Sequence, residues 1–108
     1  MEIQTSKAGN FTEIKLTGRL DTNTAPELEK ELIGIINNGE EDILVNFTTL
    51  DYISSSGLRV FLVAAKMLEA KGKKLNFCAL KDYILEVFEI AGFSVLFNIF
   101  NSREEALS

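Results

Sequence analysis

Apolar residues change their period several times along the chain, and each change marks an element. Residues 2 to 6 and 11 to 18 read as two strands around Lys7-Ala8-Gly9-Asn10, with Phe11, Ile14, Leu16 and Leu20 as apolar positions, and predict a hairpin. Asp21-Thr22-Asn23-Thr24 interrupts that alternation, after which Ala25, Leu28, Leu32, Ile35 and Ile36 recur at helical spacing. Thr24 and Glu27 have the spacing of a capping box, and Pro26 falls in the first turn, where its missing N–H does no harm. The first helix is therefore predicted to start there and to end near Asn37-Asn38-Gly39.

Residues 40 to 42 read as an acidic connector, and Ile43-Leu44-Val45-Asn46-Phe47 as a strand covered on both faces or central in a sheet. Leu50-Asp51-Tyr52-Ile53-Ser54-Ser55-Ser56-Gly57-Leu58-Arg59 then passes from apolar to hydroxyl residues and into a helix carrying Leu58, Phe61, Leu62, Ala65 and Leu68. Lys71-Gly72-Lys73-Lys74 stops that helix with cations near the negative end of its dipole. Leu75 to Leu80 reads as the next strand, parallel because a helical crossover precedes it. A third helix over residues 82 to 91 is predicted to bury Ile84, Val87, Phe88 and Ala91 and to meet Gly92 as its cap. A strand at 95 to 99 and a short helix capped by Ser102 and Glu105 follow. This order predicts an α/β sheet with helices at its crossovers, arranged as one layer of helices on one sheet.

At 108 residues the chain is expected to be one domain over residues 1–108, and its 46% hydrophobic content excludes disorder. A net charge of -5 with scattered basic residues points away from nucleic acid and anionic membranes and toward a protein partner. Cys78 has no second cysteine to pair with, which suits a reduced, cytoplasmic setting. With no signal peptide and no eighteen-residue apolar span, no direct membrane contact is expected, and any membrane association would come through a partner.

The chain holds no histidine, which excludes Ser-His-Asp and Cys-His nucleophilic arrangements. A Gly-x-Ser-x-Gly elbow, a Walker loop and a dinucleotide-binding fingerprint are missing, and the acidic residues lack EF-hand spacing, so neither catalysis nor a cofactor nor a metal is expected. Ser54, Ser55 and Ser56 read either as caps of the helix they precede or as a phosphorylation switch. Gly57, lacking a side chain, would let another backbone approach closely. Asp21 is either a turn residue or a group that faces Ser55, because both loops join a strand to a following helix and such loops gather at one sheet edge. Val60, Val63, Ala64 and Met67 form either a second buried face of their helix or an exposed docking strip.

Three stretches carry a resemblance: Leu16-Thr17-Gly18-Arg19-Leu20-Asp21, Asp51-Tyr52-Ile53-Ser54-Ser55-Ser56-Gly57-Leu58-Arg59 and Glu89-Ile90-Ala91-Gly92-Phe93. On these, over nearly its whole length, the chain resembles a stand-alone STAS domain of the bacterial anti-sigma factor antagonist type. The resemblance implies a four- to five-stranded mixed sheet with helices mainly on one side. It also implies that Ser55, two residues before the motif glycine, is the phosphoacceptor, and that Asp21 matches the acidic residue near it. Ser54 stands where the family commonly has aspartate, so Ser54 is a competing phosphosite. Asp21, Thr22, Asn23, Thr24, Ser54, Ser56, Gly57, Leu58 and Arg59 would form the partner surface. The implied partners are an anti-sigma factor with serine kinase activity and a serine phosphatase. In the implied mechanism the unphosphorylated protein binds the anti-sigma kinase and frees a sigma factor, phosphorylation at Ser55 ends the binding, and sigma-factor-dependent transcription follows the switch. Two alternatives are a STAS subunit docking on the ATPase of a membrane transport complex and, more remotely, a small-molecule sensor.

Overall fold

The computed structural model describes residues 1–39 and 41–108. Strands β1 (Glu2–Ala8) and β2 (Phe11–Leu20) pair antiparallel as far as Ala8↔Phe11, leaving Gly9-Asn10 as a two-residue turn. Gly9 supplies the left-handed φ of 59° that such a turn demands. Both strands are longer than the apolar pattern implied: β1 runs on to the turn by pairing Lys7 with Thr12 and Ala8 with Phe11, and β2 runs on at its far end by pairing Arg19 and Leu20 with β3. Helix α1 (Ala25–Asn38), strand β3 (Asp42–Ile53), helix α2 (Ser55–Glu69), strand β4 (Leu75–Cys78) and helix α3 (Asp82–Ile90) follow. A 3-10 turn (Ser94–Leu96), strand β5 (Phe97–Phe100) and helix α4 (Arg103–Leu107) complete the order. The expected connector at residues 40 to 42 falls partly outside the described residues, at Glu40, and its Asp42 opens β3.

The five strands lie in sequence order, β2 to β5 parallel. This mixed sheet agrees with the expected fold class. Alternate residues face two different coverings. Ile14, Leu16, Ile43, Val45, Phe47, Leu75, Phe77 and Phe97 point into the main core with the buried stripes of α1, α2 and α3. Phe47, Phe61, Phe77, Phe88 and Phe97 form its centre, with ring centroids 4.3 to 6.3 Å apart in edge-on, tilted and stacked pairs. On the opposite face Leu44 and Cys78 are covered by Ala106 of α4, beside Phe11, Phe100 and Leu107. There Glu13, only 5% exposed, accepts hydrogen bonds from Asn46 (2.9 Å) and from Arg103 of α4 (2.9 and 3.0 Å). Burial, with the Glu13 charge adding to it, pushes the Cys78 thiol up to about 11. Helices are accordingly mainly on one side, with α4 the exception.

The apolar pattern misplaces several boundaries. Strand β3 runs on past Phe47 to Ile53, because β2 continues beside it through Thr17↔Thr49, Gly18↔Leu50, Arg19↔Tyr52 and Leu20↔Ile53, with irregular register. The strand expected at 95 to 99 begins two residues later, after the 3-10 turn. Helix α3 buries Ile84 and Phe88, but Val87 and Ala91 are exposed because only one helix stripe meets the sheet. Gly92 (φ 77°) ends that helix as expected, with Phe93 N–H donating to Phe88 O and Gly92 N–H to Glu89 O. Along α2, Val60 and Ala64 are buried in the core and Met67 packs against it, with Val63 half-buried, so most of the strip is a second packed face. Lys71, just beyond α2, donates to Ile36 O at 2.6 Å and so holds the end of α1. Among the described residues no helix is long and apolar enough to cross a membrane.

Candidate functional site

The carboxyl ends of β2 and β3 meet where the Leu20 carbonyl accepts the Ser54 N–H at 2.9 Å. That bond sets the two strand-to-helix loops side by side, as their shared topology requires. In the first loop Asp21 builds the turn. Its backbone carbonyl accepts from Thr24 N (3.2 Å) and Ala25 N (2.8 Å), and its Oδ1 accepts from Asn23 N (3.0 Å) and Thr24 N (3.1 Å). Thr24 is the residue before α1, but its side chain does not cap that helix, so the expected capping box with Glu27 does not form. Its hydroxyl is drawn backward, accepting from Asp21 N (2.8 Å) and lying 2.9 Å from Arg19 O, because the tight turn at Asp21 brings those groups within reach first. Burial opposes ionisation of Asp21, yet the Thr24 amide and hydroxyl, the Asn23 amide and the Arg19 charge outweigh it and hold the carboxyl below its usual range.

The second loop uses its hydroxyls unequally. Ser54, in extended backbone (φ -95°, ψ 173°), is the N-cap of α2: its Oγ accepts from Gly57 N at 3.2 Å and its carbonyl from Leu58 N at 2.9 Å. The Oγ of Ser56 lies 3.3 Å from that of Thr22, a second link between the loops. Ser55, the first residue of α2, is exposed, and its hydroxyl makes no hydrogen bond among the described residues. Gly57 is buried, and a Cβ there would fall 2.6 Å from Leu20 Cγ, 2.8 Å from Leu20 Cδ2 and 3.1 Å from Ile53 Cγ1. What approaches this glycine is thus a pair of packed side chains, not the backbone anticipated from the sequence. Leu58 is half-buried against the core. Arg59 is exposed and borders a shallow cavity of about 310 Å³ with Thr22, Pro26, Glu29 and Ser56.

The proposed set Asp21, Thr22, Asn23, Thr24, Ser54, Ser55, Ser56, Gly57, Leu58 and Arg59 therefore forms one edge of the molecule. The contact between its loops runs through Thr22 and Ser56 and through Leu20 and Ser54, whereas the Asp21 carboxylate is turned onto its own loop. Further residues adjoin this edge without a local sequence signal. The Arg19 guanidinium lies 4.1 Å from the centroid of the Tyr52 ring. Lys81 Nζ meets Asp51 Oδ1 at 2.6 Å, and Tyr83 Oη donates to Asp51 O at 2.6 Å, tying α3 to the end of β3. The Asp51 hydrogen bond raises the Lys81 pKa. These partners are 30 or more positions apart in the chain, so only the fold reveals them. Among the described residues no trio of acidic or cysteine side chains is placed to hold a metal ion. Chemically, the edge offers an unengaged hydroxyl, a guanidinium and a carboxylate that stays ionised, without an imidazole to act as base.

A five-stranded sheet in sequential order, with two interlocked strand-to-helix loops at its carboxyl edge, defines a STAS-type fold. Residues 2–106 match the STAS domain family model. A Bordetella bronchiseptica protein named as an anti-sigma factor antagonist, BtrV, is 44% identical over 91 residues, covering 84% of this chain and 78% of its own length. The anti-sigma-B factor antagonist of Staphylococcus aureus is 35% identical over 104 residues, 96% of either chain. The anti-sigma factor antagonist SpoIIAA in its unphosphorylated form superposes with a TM-score of 0.83 at 23% identity, covering 97% of this chain and 92% of that one. Bacillus SpoIIAA in its phosphorylated form gives 0.76 at 23% identity, with 97% and 96% covered. The chain belongs to the STAS domain family and, within it, to the anti-sigma factor antagonists. Proteins of this family are generally binding proteins without enzymatic activity.

Proposed function

We propose that this antagonist works in the cytoplasm as a phosphorylation-controlled partner switch. In its unphosphorylated form the edge around Ser55 docks on an anti-sigma factor that is also a serine kinase, and the sigma factor held by that protein is released. The kinase then transfers the γ-phosphoryl group of ATP to Ser55 Oγ. A P–O bond forms there, ADP departs, and a base on the kinase takes the hydroxyl proton, since this chain has no imidazole. The phosphate adds nearly two negative charges at neutral pH to a surface that docking would desolvate, and binding ends. A serine phosphatase hydrolyses the ester and resets the switch.

The observation that carries this reading is the unequal use of the hydroxyls. Ser54 is engaged as a cap and Ser56 lies against Thr22, which leaves Ser55 as the exposed hydroxyl free to enter a kinase site. The names of the 44% and 35% identical relatives support the antagonist role, and the existence of a phosphorylated form of SpoIIAA supports the modification. The test is incubation with the cognate kinase and ATP followed by phosphosite mapping. Ser55→Ala is expected to abolish labelling while still binding the kinase. Ser55→Asp is expected to leave thermal stability nearly unchanged, because an anion at a helix N-terminus is tolerated, and to weaken partner binding by about tenfold or more. Labelling that persists in Ser55→Ala and disappears in Ser54→Ala would move the switch to the neighbouring serine.

A further inference from the structure

We propose that Arg59 is the internal counter-charge of a phosphate on Ser55, so that phosphorylation both adds an anion to the docking edge and withdraws a cation from it. The inference rests on the reading of Ser55 as phosphoacceptor and adds how the chain itself responds. Ser55 and Arg59 stand four residues apart in α2, on one face of the helix and one turn from each other. The anion would lie on the N-terminal side of the cation, which is the favoured order along a helix. Both residues are exposed. Among the described residues neither the Ser55 hydroxyl nor the Arg59 guanidinium has a hydrogen bond or ion pair, so pairing breaks no existing contact. A guanidinium presents parallel donors to phosphate oxygens, a match that a point charge lacks.

The surrounding charges leave this pairing open. Glu29 of α1 borders the same cavity as Arg59 and competes for it, but as a single negative charge against nearly two. Asp21 of the adjacent loop is turned onto the Asn23 and Thr24 amides, and Asp51 at the end of β3 is held by Lys81. The amides at the start of α2 favour any phosphate on Ser55 equally, whatever residue occupies position 59. A comparison between variants at that position therefore isolates the guanidinium. In the unphosphorylated protein Arg59 projects to solvent at the docking edge, where a partner carboxylate can use it. Once paired internally, it no longer offers that contact.

The test uses the full chain with phosphoserine placed at position 55 by genetic encoding, so that occupancy depends on no kinase. Phosphorus NMR then follows the second ionisation of the phosphate in the parent, in Arg59→Gln and in Arg59→Lys. At low salt the midpoint in Arg59→Gln is expected to lie above that of the parent by roughly 0.3 to 0.7 pH unit, with Arg59→Lys between them. The gap should close in about 1 M salt, where exposed charges are screened. Coincident midpoints for the parent and Arg59→Gln at low salt would overturn the pairing, whichever serine the kinase labels. Kinase mapping to Ser54 would instead overturn the phosphoacceptor reading, while the titration still reports whether Arg59 can neutralise a phosphate on Ser55.

Discussion

The loop after β2 and the loop after β3 begin alike: each leaves a parallel strand, each uses side-chain oxygen to hold backbone N–H groups, and each delivers a helix. They differ in what remains unengaged. Asp21 directs its carboxylate onto the amides of Asn23 and Thr24, and Thr24 turns its hydroxyl back toward Asp21 and Arg19, so the first loop's main polar groups are committed to holding its shape. In the second loop Ser54 alone caps the helix and Gly57 sets the packing, which leaves Ser55 uninvolved in the fold. A switch residue gains from that separation. A phosphate on Ser54 would displace a cap, whereas a phosphate on Ser55 alters the surface and leaves the architecture in place.

The largest effect expected within this comparison belongs to Gly57. Its Cβ position is occupied by Leu20, which is fully buried and cannot swing into solvent, so Gly57→Ala should act as an overpacking substitution and destabilise by roughly 1 to 3 kcal/mol. Leu20→Ala in the same chain should recover part of that loss, because it removes the obstructing atoms, although it leaves a smaller core. Chemical denaturation of the two single variants and the double variant measures the coupling. Strict additivity would show that Gly57 does not need its small size because of Leu20.

Much of this architecture was written locally. The hairpin, three long helices, the Gly92 termination and the Ser102 cap each depend on residues within a few positions, and the structure has them. So did the adjacency of the two loops, which follows from parallel topology. The second half of β3 was not legible, because exposed Thr48, Asp51 and Tyr52 break the apolar run and only pairing with β2 keeps the strand extended. Nor was the polar covering of the opposite sheet face: Glu13 finds Arg103 across 90 positions, and no local pattern announces such a partner. Thr24 shows a different failure. Its spacing to Glu27 fits a capping box, but its hydroxyl is engaged by the Asp21 amide and the Arg19 carbonyl instead. Of the site, the serines were visible as a group, but which of them the fold would use depended on hydrogen bonds.

Ser54→Ala tests that division of labour next. Loss of the cap to Gly57 N should cost about 1 kcal/mol, within the usual range of roughly 0.5 to 2 kcal/mol. Ser55→Ala, removing an exposed hydroxyl without a partner, should stay within about 0.5 kcal/mol of the parent. Thermal or urea unfolding of the two variants side by side gives the contrast directly. Equal losses would mean that the cap is shared between the serines and that Ser55 is not free of the fold.

The smallest and most conditional effect is expected at Asp21. Asparagine retains an oxygen for the Asn23 and Thr24 amides, so Asp21→Asn preserves the turn and removes only the charge that strengthens it. Because the folded-state pKa lies below the ordinary 3.8, the ionised carboxylate stabilises the native state at all pH values above the unfolded pKa. That contribution fades as pH falls through the folded pKa, where native and unfolded chains alike become protonated. The Asp21→Asn unfolding midpoint should therefore lie slightly below the parent's at pH 7, and the gap should narrow once the pH drops below about 3.8 and then close. Thermal unfolding of both proteins from pH 7 to pH 2.5 provides the measurement. A gap that stays constant over that range would assign the effect to the amide's altered hydrogen bonding and not to lost charge, and the first loop would then be held by geometry alone.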